Sequence, residues 1–103
     1  MKRNSYREST TPDIVRTLGE SFKEYRLRKQ LTQGEIAEQT GLTIATISKF
    51  ESGTAANISF STFLRLLRSI GRIDDMGYVL PPMPLRDGED AEHPVRRIRR
   101  KKK

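Results

Sequence analysis

Apolar residues recur along this chain at spacings of three and four, and most such stretches begin at a hydroxyl residue and stop at a glycine. Ile14, Val15, Leu18, Phe22 and Tyr25 form one stripe that runs to about Gln30, the pattern of a helix with a single buried face. Thr11-Pro12-Asp13 marks its start, with a hydroxyl cap, proline at the first helical position and an acid near the positive end of the dipole. Thr32-Gln33-Gly34-Glu35 has the spacing of a capping box, after which Ile36 and Ala37 point inward and Gly41 ends a second, short helix. Thr43 caps a third, whose inward residues are Ile47 and Phe50 and which Gly53 stops. Ser59 caps a fourth, where Phe60, Phe63, Leu64, Leu66, Leu67 and Ile70 make a broad apolar face before Gly71.

The texture then changes. Met76-Gly77-Tyr78-Val79-Leu80 alternates in character and Pro81-Pro82 terminates it, which predicts one short strand in place of a fifth helix. No other segment reads as β, and a lone strand leaves half its backbone groups unpaired, so the expected partner is the same strand of a second copy. Met76, Tyr78, Val79 and Leu80 are accordingly expected at a dimer interface. The pattern predicts an all-α bundle of four to five helices with a C-terminal strand over residues 11–80, a flexible segment at 1–10 and a disordered acidic-then-basic tail at 81–103.

Composition narrows the chemistry. The chain has 103 residues, 34% of them hydrophobic, enough for one small domain with a modest core. It has no cysteine, which excludes disulfides, thiolate metal sites and cysteine nucleophiles. No apolar run approaches the roughly 18 residues of a membrane span, and polar sequence follows Met1-Lys2-Arg3 where a signal peptide would be apolar. A soluble cytoplasmic protein is expected. The formal charge is +7, but residues 96–103, RRIRRKKK, hold seven of the 20 basic side chains, so bases and acids balance over the rest. His93 has no metal-ligand or acid partner at useful spacing, and no serine has a plausible histidine. No cofactor, metal or catalytic site is expected.

The third helix carries the one unusual surface. At 100° per residue, burying Ile47 and Phe50 turns Ala45, Ser48, Lys49 and Ser52 to the far side. That side is narrow and free of bulk. Such a helix fits a DNA major groove, about 12 Å wide, where Lys49, Thr46 or Ser48 can hydrogen-bond to base edges. The helix before it would cross the phosphate backbone, with Gln33 and the first-turn amides near one phosphate. The alternatives are a solvated Lys49 and a Gln33 that is a plain surface residue.

Residues 33–52 resemble the helix-turn-helix of the phage-repressor family, the Cro/C1 or XRE type. Ala37 stands where that family has a small residue at the helix crossing, Gly41 at its turn, and Ile47 where a branched side chain packs on the alanine, with Ile36 and Phe50 completing the inward set. The resemblance spans about residues 14–71 and implies a lambda-repressor-like fold. Within the family, ATISKFESG and NISFSTFLRLLRSIG are most similar to HipB-type antitoxins, dimeric repressors of their own operon that also bind a HipA-type kinase toxin. The resemblance implies that Gln33 contacts phosphate, that Thr43, Ala45, Thr46, Ser48 and Lys49 face the groove, with Ile44 at its edge, and that Arg26 pairs with Glu51 in a partly buried ion pair. Ala45 suits a thymine methyl and Lys49 guanine O6/N7.

The expected function is a homodimeric, sequence-specific repressor of a palindromic operator, with double-stranded DNA as partner. An antitoxin whose main role is to hold a HipA-like kinase, or a controller protein of a restriction-modification system, shares the pattern.

Overall fold

The computed structural model describes residues 6–55 and 57–85. In chain order these form α1 (Thr11–Arg28), α2 (Gln33–Thr40), α3 (Ile44–Ser52), α4 (Phe60–Ser69), a 3₁₀ turn (Ile73–Asp75) and α5 (Met76–Val79). No strand forms among the described residues. The expected tail from residue 86 onward, including His93 and the basic run at 96–103, lies outside them, as do residues 1–5.

Side-chain caps set the starts of the four longer helices. Thr32 Oγ1 accepts from the Glu35 amide at 3.0 Å while Glu35 Oε1 accepts from the Thr32 amide at 2.8 Å, a complete capping box. Thr43 and Ser59 each accept from the amide three residues on, Thr46 and Thr62. The cap of α1 is Thr10, one residue earlier than the sequence pattern places it, because Thr10 Oγ1 takes the Asp13 amide. Pro12 therefore sits second in the helix, where its missing N–H still leaves no helical bond unmade.

The helix ends follow a common scheme with one exception. Gly41, Gly53 and Gly71 all take positive φ just past α2, α3 and α4. After α1 the same left-handed position is held by Gln30, at φ 59, with its amide donating to the Leu27 carbonyl and the next amide to Arg26. A side chain there crowds its own backbone, so this turn is strained in a way the three glycine turns are not.

Phe22, Ile36, Ile47, Phe50, Leu66 and Ile70 are buried together, so every one of the four longer helices contributes to one core. Phe50 is central: its ring lies 5.8 Å from that of Phe22 and meets Phe63 edge-on at 6.2 Å. α3 packs on both α1 and α2, and α2 packs on α4. α1 and α3 approach closely at Gly19, where a methyl group would overlap the Phe50 carbonyl. Ala37, which the pattern marks as the small residue of the crossing, is half-buried against the core. Tyr25 departs from its expected core role and is 42% exposed, its ring beneath the Arg72 guanidinium at 5.4 Å.

Arg26 and Glu51 are buried. Arg26 Nε and Nη2 donate to the two carboxylate oxygens of Glu51 at 2.6 and 2.8 Å, and Nη1 donates to the Leu31 carbonyl at 2.7 Å. Gln33 Nε2 adds a further bond to Glu51 Oε1 at 3.1 Å. One guanidinium thus ties the end of α1, the loop before α2 and the end of α3 into a fixed relation. Its hydrogen bond to Glu51 raises the Arg26 pKa above the ordinary value, with burial opposing and the carboxylate charge assisting. A raised arginine pKa gives stability that is present below the unfolded value and lost only as pH climbs through the folded one, so the clamp stays charged at neutrality.

The segment expected as a strand is helical. Asp75 donates its amide to the Arg72 carbonyl at 3.0 Å, and Met76 continues in the right-handed region at φ −63, ψ −21. The reason is local satisfaction: within one chain a strand at 76–80 would have no ladder partner, whereas successive turns pair these amides with carbonyls just behind them. Pro81 then forbids continuation, and Leu80 is extended at φ −147.

Two stability measurements follow. Glu51→Ala leaves a buried guanidinium unpaired and is expected to lower the unfolding free energy by about 3 kcal/mol, whereas Arg26→Met combined with Glu51→Leu is expected to cost less than that single change; additive losses in urea titrations would contradict this. Gln30→Gly is expected to raise stability by about 1 kcal/mol through relief at the left-handed position, and an unchanged or lower urea midpoint would show that the turn is unstrained.

Candidate nucleic-acid interface

α3 is nine residues long and divides cleanly into two faces. Ile47, Phe50 and Glu51 are buried, and Ala45, Ser48, Lys49 and Ser52 are exposed on the opposite side. The division has a simple origin. The core holds two large apolar residues at i and i+3, the clamp holds Glu51 at i+4, and helical periodicity sends the remaining positions outward. Because none of the outward side chains is larger than lysine, backbone of α3 can come close to whatever it faces. Lys49 is the one cation in α3, and the one anion, Glu51, is taken up by Arg26.

The flanks differ. Thr46 is half-buried, and its Oγ1 lies 2.9 Å from Thr43 Oγ1, so these two exposed-edge hydroxyls hold one another at the head of the helix. Beyond Thr46 and Lys49 opens a groove of about 250 Å³ whose other walls are Ala55, Asn57, Ile58, Ser59 and Thr62. Asn57, Ser59 and Thr62 therefore share a surface with the candidate residues. The sequence pattern gives Ser59 only a capping role, and the signal available was Asn57 beside it in the loop between Gly53 and the fourth apolar stripe. On the other flank Ile44 is half-exposed and its Cδ1 reaches over Gly34 at the start of α2. It is thereby part of the joint between the two helices as well as part of the rim.

Gln33 is placed differently from the rest. Its side chain is half-buried and engaged with Glu51, so what it offers toward solvent at the start of α2 is chiefly backbone. Within the capping box the amides of Thr32 and Glu35 are satisfied by side chains, and those of Gln33 and Gly34 are the first-turn donors without helical acceptors. The structure therefore gathers Thr43, Ala45, Thr46, Ser48 and Lys49 on one surface, sets Ile44 at its edge, and holds Gln33 behind it.

Among the described residues there is no group of three or more His, Cys, Asp or Glu side chains that could hold a metal ion, and no helix is long and apolar enough to cross a membrane.

A comparison with curated proteins gives no match. A family model described as Helix-turn-helix matches residues 22–74, a span that contains the end of α1 from Phe22 onward, all of α2, α3 and α4, and the 3₁₀ turn's first residues. With a capped α2, a left-handed glycine turn and a bare-faced α3 inside that match, the chain belongs to the Cro/C1-type helix-turn-helix family and is a DNA-binding transcription regulator.

Proposed function

We propose that the chain acts as a homodimeric, sequence-specific repressor that inserts α3 into the major groove and occludes a promoter, its own among them. The observation that carries this reading is the outward face of α3: four small or flexible exposed side chains directly opposite a fully buried face. In this reading Lys49 reaches guanine O6/N7, Ala45 lies against a thymine methyl, and Ser48 and Thr46 hydrogen-bond to neighbouring base edges or phosphates. Thr43 and the free amides at Gln33 and Gly34 hold a phosphate and so fix the register of α3 along the groove. Gln33 contributes through its backbone and through its bond to Glu51, which keeps the start of α2 and the end of α3 together.

A dimer with two α3 helices about 34 Å apart would read two half-sites on one face of the duplex, which accounts for a palindromic operator. The similarity of ATISKFESG and its surroundings to HipB-type antitoxins supports autoregulation. A kinase-holding role, the alternative that the same resemblance offers, has no observation in its favour and is not included in the proposal.

Selection from a randomised duplex library supplies the DNA. Affinity for the selected duplex is expected to exceed that for random duplex by about 10³-fold or more at physiological salt, with both falling as salt rises; equal affinities across a salt titration would reject sequence reading. For Lys49→Ala the expected loss is about 1 to 3 kcal/mol with relaxed preference at one base position. A loss spread evenly over all sequences would reassign Lys49 to a phosphate.

A further inference from the structure

From Met76 to Leu85 the sequence reads MGYVLPPMPL, ten residues without a charge in a protein of which 32% is charged. Tyr78 and Leu80 are 86% and 87% exposed, and Val79, Met83 and Leu85 are exposed as well. Five large apolar side chains on one short stretch, all facing water, are costly to leave uncovered. The same chain carries a matching recess. Between α1 and α4 lies a mostly apolar groove of about 110 Å³, walled by Leu18, Phe22 and Tyr25 on one side and Phe63, Leu67 and Ile70 on the other. Arg72, bound bidentately to Asp75 at 2.9 and 2.7 Å and lying over Tyr25, closes one end.

We propose that this stretch is an exchanged arm, which leaves its own domain and seats Tyr78 and Leu80 in the α1–α4 groove of a second copy, while the second copy's arm returns the contact. The inference rests on the homodimer proposed above and names its interface. Three features select a second copy of this chain as the occupant. Asp75 lines the groove and Met76 begins the arm, so the arm departs from the groove's own rim, and its apolar side chains are exposed although the recess is adjacent. Pro81, Pro82 and Pro84 fix φ and stiffen the arm, which favours an outward reach over a tight return and lowers the entropy lost on docking. The same prolines remove three amide donors, so the arm docks by its side chains and cannot extend a sheet.

The area is sufficient. Covering five such side chains per arm removes on the order of 600 Å² from water, so two arms together with the grooves that receive them reach about the 1,200 to 2,000 Å² of a stable interface. Reciprocal exchange about a two-fold axis also closes the assembly at two copies. On α4, Phe60 and Leu64 continue the line of Leu67 along the helix, and Phe60 is exposed, so the receiving surface extends beyond the groove itself.

The chain has no cysteine, which makes it a clean background for cross-linking. Ser21 lines the groove and is exposed, so Ser21→Cys and Leu80→Cys leave the core untouched. Mixed in equal amounts and oxidised, the two single variants are expected to give a covalent dimer joined between position 21 of one copy and position 80 of the other. Tyr78→Asp with Leu80→Asp is expected to raise the dimer dissociation constant by about 100-fold with an unchanged helical circular dichroism spectrum. A disulfide formed by Leu80→Cys alone would indicate arm against arm, and an internal cross-link in the double-cysteine variant would place the arm in its own groove. Either result overturns exchange. If sedimentation shows the unmodified protein to be a dimer that neither cross-links nor responds to the arm substitutions, the dimer stands and the arm is refuted. If the unmodified protein is a monomer at all concentrations, the dimer reading itself fails.

Discussion

The guanidinium of Arg26 is the point on which the site depends. It is held by Glu51 through two short bonds and caps the Leu31 carbonyl with a third, so it fixes the end of α1, the loop into α2 and the last turn of α3 at once. α3 has only nine residues, too few to be a stable helix by itself, and its orientation must come from what it packs on. Apolar contacts at Ile47 and Phe50 supply attachment but are tolerant of rotation. A bidentate ion pair with no exposed alternative is not. It therefore sets which residues of α3 face outward, and through Gln33 it ties the start of α2 to the same reference.

Close backbone approach is the second constraint. Gly19 lets α1 lie against the Phe50 carbonyl, which brings Phe22 onto Phe50 and draws the middle of α3 into the core. With that face buried so deeply, the opposite face can consist of alanine, serine and lysine without a loss of helix stability, since the helix is held from behind. A surface meant to approach another polymer closely has to be bare, and a nine-residue helix can be bare on one side only if the other is held strongly. The shape of the site is in this sense a consequence of the packing behind it.

The C-terminal stretch shows a different balance. Turns from Ile73 to Val79 pair their amides locally, so the backbone there is satisfied without a neighbour, but the side chains of Tyr78, Val79 and Leu80 are not. Backbone and side-chain requirements are met separately in this region, the first within the chain and the second by whatever covers the arm.

Much of this was legible in the order of residues. Caps at Thr32, Thr43 and Ser59, left-handed glycines at 41, 53 and 71, and the inward set Ile36, Ile47, Phe50 and Leu66 are all consequences of local hydrogen bonding and of the 3.6-residue period, which depend on neighbours within about four positions. The outward placement of Ala45, Ser48 and Lys49 follows from the same period, and the Arg26–Glu51 pair was reached through family resemblance. Tertiary structure decided the rest. That Gln33 turns inward to Glu51, that Gly19 lies hard against the Phe50 backbone, that Tyr25 lies under Arg72, and that Asn57 and Thr62 border the groove beside Lys49 all depend on residues brought together across the fold, for which periodicity carries no signal. The stretch at 76–80 is the sharpest case: alternating character is compatible with a strand or a turn of helix, and the choice fell to whether a hydrogen-bonding partner was present beside it or behind it.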